Sequence, residues 1–427
     1  MNSIKKLIPP KVLNTVRPPY HYFLALIGAV FYRFPSKKIK VVAITGTKGK
    51  STTTEIVNAV LEEAGFKTAL ANTLRFKIGE EEKRNLFKMT MPGRFFLQKF
   101  LGQAVGKNCD WAVIEMTSEG ARQFRHKFID LDVLIFSNLS PEHIESHGSY
   151  ENYVKAKLKI ANSLANSSKK RRVLVVNNDD KEAEKFKAVK NTEKVLYSLK
   201  DAVDLKLEEA KSVFVWQNQR IETKLIGEFN VYNILSALTF AKAIGIDLEK
   251  TARAIQKIEK IRGRVEKIST DGFDVYVDYA HTPDSLEKFY RAFEGRRKIC
   301  VLGNTGGGRD QWKRPEMGRI ADKYCDQIIL TNEDPYDEDP KKILDEMITA
   351  INKEKLKIII DRREAIHEAL NQAKNNLRVS ETLRLKTVVL ITGKGTDPFI
   401  MGPQGTKIPW DDAEVVREEI EKLGSRV

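Results

Sequence analysis

The residues best suited to chemistry stand in one turn, Gly46-Thr47-Lys48-Gly49-Lys50-Ser51-Thr52, between a β-branched run and a helical pattern. A strand, a glycine turn and a helix N-terminus together form a phosphate cradle, because backbone N–H groups point at the anion. We predict that Lys50 reaches the outer phosphates and that the hydroxyl of Ser51 or Thr52 binds Mg²⁺. The glycines are closer together than in the standard loop, so a chance lysine at a helix start is the alternative; the flanking strand and helix favour phosphate binding.

Two further polar residues follow predicted strands. Glu115 ends the apolar run Trp111–Ile114, and His143 follows the run Val133–Phe136 within Asn138-Leu139-Ser140-Pro141-Glu142-His143. Function gathers at the carboxyl ends of parallel strands, where an acid completes a Mg²⁺ shell together with phosphate. The alternatives are a glutamate that only faces solvent and a loop histidine with no role in metal binding.

One lysine of the predicted helix Tyr150–Leu164 lies among apolar residues. At 100° per residue the apolar side chains form one arc, and Lys157 falls in its middle. A lysine buried in this way must pair, lose its proton or be modified, unless it snorkels to the edge. The functional interpretation is a carbamylated lysine, which turns a cation into an anion able to bind metal.

The second half of the chain carries three more polar strand ends. Asp278-Tyr279-Ala280-His281-Thr282-Pro283-Asp284 follows one strand, Gly303–Asp310 with Lys313-Arg314 follows the next, and Gly393-Lys394-Gly395 follows the last. Glycine turns with basic residues at strand ends are typical of anion sites. A nucleotide switch alone does not need this second set, which argues against a non-catalytic ATP-binding regulator.

These elements predict an α/β protein with three segments. Residues 1–38 form a basic and apolar N-terminal helical segment, residues 39–260 a central P-loop ATPase domain with a mainly parallel sheet, and residues 261–427 a C-terminal Rossmann-like doubly wound domain. The predicted strands are Val41–Ile44, Trp111–Ile114, Val133–Phe136, Val173–Val176, Ser212–Trp216, Val275–Val277, Lys298–Leu302, Gln327–Leu330, Lys357–Ile360 and Val388–Ile391. The predicted helices are Thr52–Ala64, Tyr150–Leu164 and Val231–Ala243.

The N-terminal segment holds the apolar run Phe23–Tyr32, flanked by basic residues. The run is shorter than the roughly 20 residues that a membrane-spanning helix needs, and it lacks the cleavage site of a signal peptide. We expect a helix docked on the next domain; a peripheral membrane anchor is the alternative.

The composition of the chain limits the kinds of molecule that it is expected to bind. The formal charge of +15 invites a nucleic-acid interpretation, but we find no basic stripe interleaved with aromatic residues and predict no nucleic-acid partner. The excess charge suits anionic nucleotide substrates. Cys109, Cys300 and Cys325 show neither metal-ligand spacing nor a disulfide framework, so we predict a reducing cytoplasmic location, and we expect a monomer.

Together these residues resemble the Mur ligase family, the ATP-dependent amide-forming enzymes of peptidoglycan synthesis. Within it they are similar to the type that adds the third stem-peptide residue to UDP-MurNAc-dipeptide, over about residues 40 to 427. The motifs that carry the likeness are Gly46–Thr52, Glu115-Met116-Thr117-Ser118, Asn138–His143, Gly227-Glu228-Phe229-Asn230-Val231-Tyr232-Asn233, Gly263-Arg264, Asp278–Asp284, Gly307-Gly308-Arg309-Asp310 and Gly393-Lys394-Gly395.

The resemblance implies the cofactors and the site residues. It implies ATP and Mg²⁺, with Lys50, Glu115, His143 and Lys157 as catalytic residues and Ser51, Glu115, His143 and carbamylated Lys157 as metal ligands. Nucleotide-binding residues are Gly46, Thr47, Lys48, Gly49, Lys50, Ser51, Thr52, Asn230, Asn233, Arg264, Asp278, Tyr279 and His281. The muramyl side corresponds to Thr90, Ser118, Gln123 and Arg125, and the amino-acid side to Asp334, Pro335, Tyr336, Gly393 and Asp397.

The chain departs from the family pattern at several places. Only residues 1–38 precede the ATPase domain, so the family's UDP-binding N-terminal domain is expected to be missing. Lys48 replaces an asparagine, Glu119 a histidine, and Glu333-Asp334-Pro335-Tyr336 replaces Asp-Asn-Pro-Arg or Asp-Asn-Pro-Ala. The folylpolyglutamate synthetase branch also lacks that domain, but its third-domain motif differs from Asp278–Asp284.

The expected function is an ATP-dependent acid–amino-acid ligase acting through an acyl phosphate. A related ligase on a different carboxylate, including a folate-like acid, is the enzymatic alternative. Tyr336 and the acids Asp337, Glu338 and Asp339 predict L-lysine over meso-diaminopimelate, unless Arg362 or Arg363 supplies a cation for the diacid.

Overall fold

The predicted phosphate loop follows a central strand of the larger of two parallel-rich sheets. The computed structural model describes residues 10–270, 272–379 and 387–424. The sheet has the order β4-β3-β2-β5-β1-β6-β7-β8, with antiparallel pairing only at the β2-β3-β4 edge. Its strands are β1 (Lys40–Thr45), β2 (Thr68–Ala71), β3 (Arg75–Ile78), β4 (Glu81–Arg84), β5 (Trp111–Glu115), β6 (Val133–Phe136), β7 (Val173–Asn177) and β8 (Glu193–Tyr197).

Helices cover both faces of this sheet. Because side chains alternate along β1, Val41 and Ala43 join the core on one face while Val42 and Ile44 join the core on the other. The helices up to the end of this region are α1 (Pro10–Phe31), α2 (Lys50–Glu63), α3 (Arg94–Gly106), α4 (Ser118–Arg122), α5 (Ile144–His147), α6 (Tyr150–Ala165), α7 (Ala183–Lys187), α8 (Glu228–Ala243) and α9 (Leu248–Lys257). Both faces are therefore buried, which explains why the central strands are continuous apolar runs.

The predicted strand Ser212–Trp216 is present but does not belong to the parallel sheet. It is β10 of a three-stranded antiparallel sheet ordered β11-β10-β9, with β9 at Val203–Leu207 and β11 at Gln219–Thr223. Gln217 and Asn218 connect β10 to β11, and both have positive φ, 49° and 65°. A two-residue turn of this conformation closes an antiparallel hairpin, so the expected parallel placement was wrong.

The second parallel-rich sheet has the order β12-β13-β17-β14-β15-β16, in which only β12 is antiparallel to its neighbour. Its strands are β12 (Glu266–Ser269), β13 (Asp274–Val277), β14 (Arg297–Leu302), β15 (Gln327–Leu330), β16 (Leu356–Ile358) and β17 (Thr387–Ile391); β18 (Phe399–Met401) and β19 (Lys407–Pro409) form a separate hairpin. The helices of this region are α10 (Pro283–Arg291), α11 (Lys313–Tyr324), α12 (Pro340–Ile348), α13 (Arg362–Val379) and α14 (Asp412–Lys422). The doubly wound prediction is confirmed.

Four short 3₁₀ turns complete the described elements: Pro35–Lys38, Leu199–Asp201, Lys353–Lys355 and Pro403–Gly405. Along the described ranges, no helix is long and apolar enough to cross a bilayer. The proposed segment limits at 38/39 and 260/261 remain a prediction.

Two of the cysteines contradict the expectation that the chain has no disulfide. Cys300 in β14 and Cys325 just before β15 form a disulfide with an S–S distance of 2.11 Å. The crossover through α11 brings these residues together although they are 25 positions apart. Cys109 is free and buried. Sequence spacing missed the pair because adjacency of parallel strands, not local spacing, creates it.

Candidate active site

The predicted phosphate loop lies between β1 and α2. Gly46 and Gly49 have φ of 148° and 81°. A Cβ atom on Gly46 would lie 1.9 Å from the Ser137 hydroxyl, and one on Gly49 would lie 2.2 Å from the Asn233 side-chain oxygen. Both conformation and space therefore require glycine, and the short spacing between them still builds a cradle at the start of α2.

A neighbouring segment after β6 braces this loop. The backbone N–H of Thr47 donates to the Asn138 carbonyl at 2.7 Å, and that of Lys48 donates to the Asn138 side-chain oxygen at 2.9 Å. Lys50 is half-buried and donates from Nζ to the Thr47 carbonyl at 2.8 Å. Burial lowers the pKa of Lys50 against the opposing effect of Glu115. The lysine thus lies within the cradle that it was predicted to serve.

Ser51 and Glu115 form the hydroxyl–carboxylate pair that Mg²⁺ requires. The Ser51 hydroxyl donates to Glu115 Oε2 at 2.9 Å, and the backbone N–H and hydroxyl of Thr73 donate to the same oxygen. Within the described ranges no group of three or more His, Cys, Asp or Glu forms a metal cluster. An ion held by one hydroxyl and one carboxylate takes its remaining ligands from phosphate and water, which is the usual arrangement for Mg²⁺. These residues fit a Mg²⁺ ion that accompanies a bound nucleotide.

Lys157 occupies the buried position that the helical arc predicted. Its side chain on α6 is 2% exposed, and Nζ donates to the Gly46 carbonyl at 2.7 Å. Nζ also lies 5.6 Å from the centre of the Tyr153 ring. Burial, aided by the charge of Lys50, holds the pKa of Lys157 well below its usual range. Lys157 does not snorkel, because its amine ends beside the phosphate loop.

The two histidines that follow β6 have different environments. His143 has φ of 58°, and Nδ1 lies 4.0 Å from Glu145. Burial lowers the pKa of His143, so the ring is neutral, which is the form that binds metal. His147 is buried, and its Nε2 lies 3.2 Å from the Ser118 hydroxyl and 3.1 Å from Glu119. No role for His147 was predicted from the sequence. The available signal was Glu119, which replaces a histidine of the family pattern and contacts His147.

Glu142 connects the phosphate loop with the second sheet. One of its oxygens lies 3.0 Å from Lys48 Nζ and 3.1 Å from His281 Nε2. Burial alone would raise the pKa of Glu142, but Lys48 and His281 outweigh it and hold the pKa well below its usual range. Burial and Lys48 lower the pKa of His281 to about 4. The sequence pattern indicates the Asn138–His143 segment but no particular role for Glu142.

The residues predicted to surround the nucleotide converge on this junction. The Asn233 side chain accepts from the Thr53 hydroxyl at 3.3 Å and donates to Asn230 at 3.1 Å. The Arg264 guanidinium lies 4.7 Å from the centre of the Tyr279 ring. Burial raises the pKa of Asp278, whose oxygens accept two backbone N–H bonds, from Val265 and Ala280. Asn230 and Asn233 lie in the first two turns of α8, Arg264 precedes β12, and Asp278 and Tyr279 follow β13.

The predicted muramyl-side residues lie on the other flank of the loop. The Thr90 hydroxyl is 2.7 Å from that of Thr73, which in turn binds Glu115. Arg125 donates to the Gln123 side chain at 2.7 Å and also contacts the Met91 carbonyl. The remaining member of this group is Ser118, the partner of His147.

The predicted amino-acid side contains paired charges rather than a free anion site. Lys394 Nζ is buried and donates to Asp334 and to Asp397, both at 2.9 Å. Lys88, from the loop before α3, adds contacts of 2.7 Å to Asp334 and 3.1 Å to Asp397. The Gly393-Lys394-Gly395 turn therefore does not supply a free cation as expected, because two carboxylates occupy its lysine. Lys88 was missed, and no local pattern indicated it.

Three other predicted members of this side shape its backbone. Gly393 has φ of 105°, and a Cβ there would lie 2.5 Å from Glu333 Oε2. Tyr336 has φ of 54° and donates its N–H to the Met401 carbonyl at 3.0 Å. The Pro335 carbonyl accepts from the Glu338 N–H at 3.1 Å. These contacts close the turn that follows β15.

Comparisons with known proteins agree with this geometry. Residues 44–241 match the Mur ligase middle domain, and residues 263–395 match the Mur ligase, glutamate ligase domain. A UDP-N-acetylmuramoyl-L-alanyl-D-glutamate--2,6-diaminopimelate ligase of Syntrophomonas wolfei is 36% identical over 92% of this chain and 81% of that protein.

Solved structures give the same result. A structure of a UDP-N-acetylmuramoyl-L-alanyl-D-glutamate--2,6-diaminopimelate ligase has 28% identity and a TM-score of 0.60 over 90% of this chain and 79% of the other. Mycobacterium tuberculosis folylpolyglutamate synthase, with 14% identity and a TM-score of 0.71 over 90% and 94%, shares the fold. Because the two matched domains cover more than half of the chain, it belongs to the Mur ligase family, whose members are ATP-dependent acid–amino-acid ligases.

Proposed function

We propose that the chain adds the third residue of the stem peptide to UDP-MurNAc-dipeptide in peptidoglycan synthesis. The observation that carries the proposal is Glu142, which joins Lys48 of the phosphate loop to His281 beside the second sheet. This contact joins the phosphate loop to the second sheet, and the predicted amino-acid side follows β15 and β17 of that same sheet. The names of the relatives above, which act on the same muramyl dipeptide, support the choice of substrate.

The chemistry follows from the charges in the cleft. ATP lies with its phosphates against the N–H groups of the Gly46–Thr52 loop, and Lys50 leaves the Thr47 carbonyl to contact the transferred phosphoryl group. The substrate carboxylate attacks the γ-phosphorus, the bond to the β,γ-bridging oxygen breaks, and an acyl phosphate and ADP result. The amine of the incoming amino acid then attacks the acyl carbon, a C–N bond forms, and phosphate leaves. Ser51 and Glu115 would hold a Mg²⁺ ion, which would supply positive charge to the phosphates when bound.

Lys157 is the residue that we assign to a carbamate. Its amine is buried beside Gly46, close enough to Lys50 for their charges to interact unfavourably. A neutral amine adds CO₂ and releases one proton, so the product is an anion between the loop and its lysine. That anion would replace a repulsive contact by an attractive one, and together with His143 it would be able to hold a second metal ion.

For the incoming amino acid we propose L-lysine in preference to meso-diaminopimelate. Tyr336 stands where an arginine would pair with the distal carboxylate. The acids that supported this prediction have other partners, however: Glu338 pairs with Arg314, Asp339 caps α12, and Asp337 binds the N–H of Gln404. The proposal therefore rests on Tyr336 alone.

The diacid is the second candidate, and two observations favour it: the relatives above are named 2,6-diaminopimelate ligases, and a cation lies near Tyr336. Arg309 is about half exposed and lies close enough to Tyr336 to influence its pKa. Arg362 and Arg363 do not contribute, because Asp412 holds the first and Glu418 and Glu419 hold the second. Competition kinetics decide between the candidates: a kcat/KM for meso-diaminopimelate equal to or above that for L-lysine excludes the first proposal.

The test of the function is product formation. Protein, ATP, Mg²⁺ and UDP-MurNAc-dipeptide are incubated with each amino acid, and the product is identified by mass spectrometry. We expect the tripeptide, with ADP and phosphate released in equal amounts. Product from a nucleotide-free or folate-like acid alone assigns the chain to the alternative ligase, and ATP binding without any product assigns it to the regulator.

We further propose a cytoplasmic monomer that binds small-molecule substrates and no nucleic acid. The Cys300–Cys325 disulfide removes the cysteine argument for a reducing compartment. The remaining support is chemical, because ATP and a nucleotide-linked sugar are substrates found in the cytoplasm. Gel filtration and cell fractionation test both statements.

A further inference from the structure

Helix α1 directs several large apolar side chains away from the protein. Five of them, here called the α1 stripe, are each 54% to 70% exposed: Tyr20, Phe23, Ile27, Val30 and Phe31. Successive members are three or four residues apart, except for the adjacent Val30 and Phe31. All five therefore lie along one side of the helix. A surface helix of a globular protein normally has the opposite arrangement, with its apolar side facing the core. An apolar surface of this kind marks an interaction site.

The inward side of α1 explains why the stripe faces outward. Ala25 and Ala29 are buried, and a Cβ on Gly28 would lie 3.7 Å from the Phe95 Cα and the Gln98 side chain. Small residues at these positions let α1 approach α3 closely, and this side offers no space for a Phe or Ile. Tyr22 adds edge-on contacts to Phe124 and Phe128. The helix is thus docked, as expected, and the stripe is what docking leaves uncovered.

The charge around the stripe identifies the chemistry of its partner. The first 40 residues contain eight Lys and Arg and no Asp or Glu: Lys5, Lys6, Lys11, Arg17, Arg33, Lys37, Lys38 and Lys40. Arg17 lies at one end of the stripe, and Arg33, Lys37 and Lys38 lie beyond its other end, all exposed. The partner must therefore be apolar and anionic together. A second copy of this surface would bring like charges together and does not meet the condition.

An anionic lipid bilayer meets both conditions. An amphipathic helix lies in the plane of the interface with its apolar side in the acyl boundary, while Lys and Arg contact the anionic headgroups. In the described part of the chain no helix is long and apolar enough to cross a bilayer. The α1 stripe covers one side of its helix, as in a helix that lies in the plane of the interface. We propose that the α1 stripe docks the protein on an anionic membrane surface.

The position of α1 relative to the active site gives this docking a direction. Arg94 at the start of α3 lies 2.6 Å from the His21 ring through one nitrogen and donates to the Gln123 carbonyl at 3.0 Å through another. Gln123 belongs to the predicted muramyl side. Docking through α1 therefore brings the muramyl side of the cleft next to the bilayer. The proposal itself does not depend on the substrate proposed above.

Vesicle cosedimentation of the full chain tests the proposal. We expect binding to vesicles of equal parts phosphatidylcholine and phosphatidylglycerol, and binding weaker by at least about tenfold to phosphatidylcholine alone or at high salt. The triple variant Phe23→Gln/Ile27→Gln/Phe31→Gln should lose roughly 100-fold in affinity, because three large apolar groups no longer enter the acyl boundary. The matched control is Val203→Gln/Leu207→Gln, which changes two similarly exposed residues of β9 and should bind like the parent.

A variant that lacks three basic side chains separates the electrostatic contribution to vesicle binding from the apolar contribution. Arg33→Gln/Lys37→Gln/Lys38→Gln should bind the anionic vesicles roughly 100-fold more weakly and the neutral ones as before. All variants change exposed side chains, so melting temperature and ligase turnover should equal those of the parent. Absence of parent binding to anionic vesicles, or equal binding to neutral ones, overturns the proposal. So does a dimer in analytical ultracentrifugation that the stripe variant dissolves, because a second copy then covers the stripe.

Discussion

Glu142→Gln tests whether the contact between the two halves of the site matters for catalysis. The wild-type carboxylate binds Lys48 at 3.0 Å and His281 at 3.1 Å, and only the second contact reaches the second sheet. Glutamine has nearly the same shape but no charge. A charge-assisted hydrogen bond contributes about 1.5–3 kcal/mol and a neutral one about 0.5–1.5 kcal/mol, so each contact loses about 1–1.5 kcal/mol.

The loss at His281 should appear in kinetics. If closure of the second sheet over the loop assembles the site, about 1–1.5 kcal/mol of lost contact lowers kcat/KM roughly tenfold. Phosphate release is measured for the parent, Glu142→Gln, His281→Gln and the double variant. The two single effects should not add, because both remove the same contact. Glu151→Gln, an exposed acid on α6, is the control and should leave turnover unchanged. Additive effects, or parental turnover in Glu142→Gln, refute the reasoning.

Three further changes test individual residues. Lys50→Ala should lower ATP turnover roughly 100-fold or more in a folded protein, measured by phosphate release; near-normal release contradicts the loop assignment. Lys157→Ala should be inactive and partly rescued by a short carboxylate, and intact mass showing unmodified lysine in active protein refutes the carbamate. Burial lowers the pKa of His126 to about 3, so the unfolded chain binds its proton more readily and stability falls as pH drops below about 6.5. By pH 5 the loss is about 2 kcal/mol, and His126→Phe should remove it in denaturant titrations; an unchanged pH dependence excludes this cause.

Local pattern was sufficient for the parts of the site that one strand and its following turn create. β1, the Gly46–Thr52 loop and α2 were predicted because a β-branched run, glycines and helical periodicity are contiguous. Glu115 was predicted for the same reason, and the structure places it 2.9 Å from Ser51. The burial of Lys157 followed from helical periodicity alone, which needs no knowledge of the neighbouring element.

Contacts between distant segments were not accessible in this way. Lys88 reaches Asp334 across 246 positions, and Glu142 reaches His281 across 139. Such pairs depend on how the two sheets are placed, and a single sequence contains no periodicity that reports it. The Cys300–Cys325 disulfide was not predicted for the same reason, because the α11 crossover brings its two cysteines together.

The most direct test of the central claim is transfer of an oxygen atom. The acceptor carboxylate is labelled with ¹⁸O, and the phosphate released during turnover with ATP and the amino acid is examined by mass spectrometry. An acyl phosphate mechanism predicts that each phosphate carries one labelled oxygen, because the C–O bond breaks when the amine attacks. Unlabelled phosphate released alongside amide product would contradict the account.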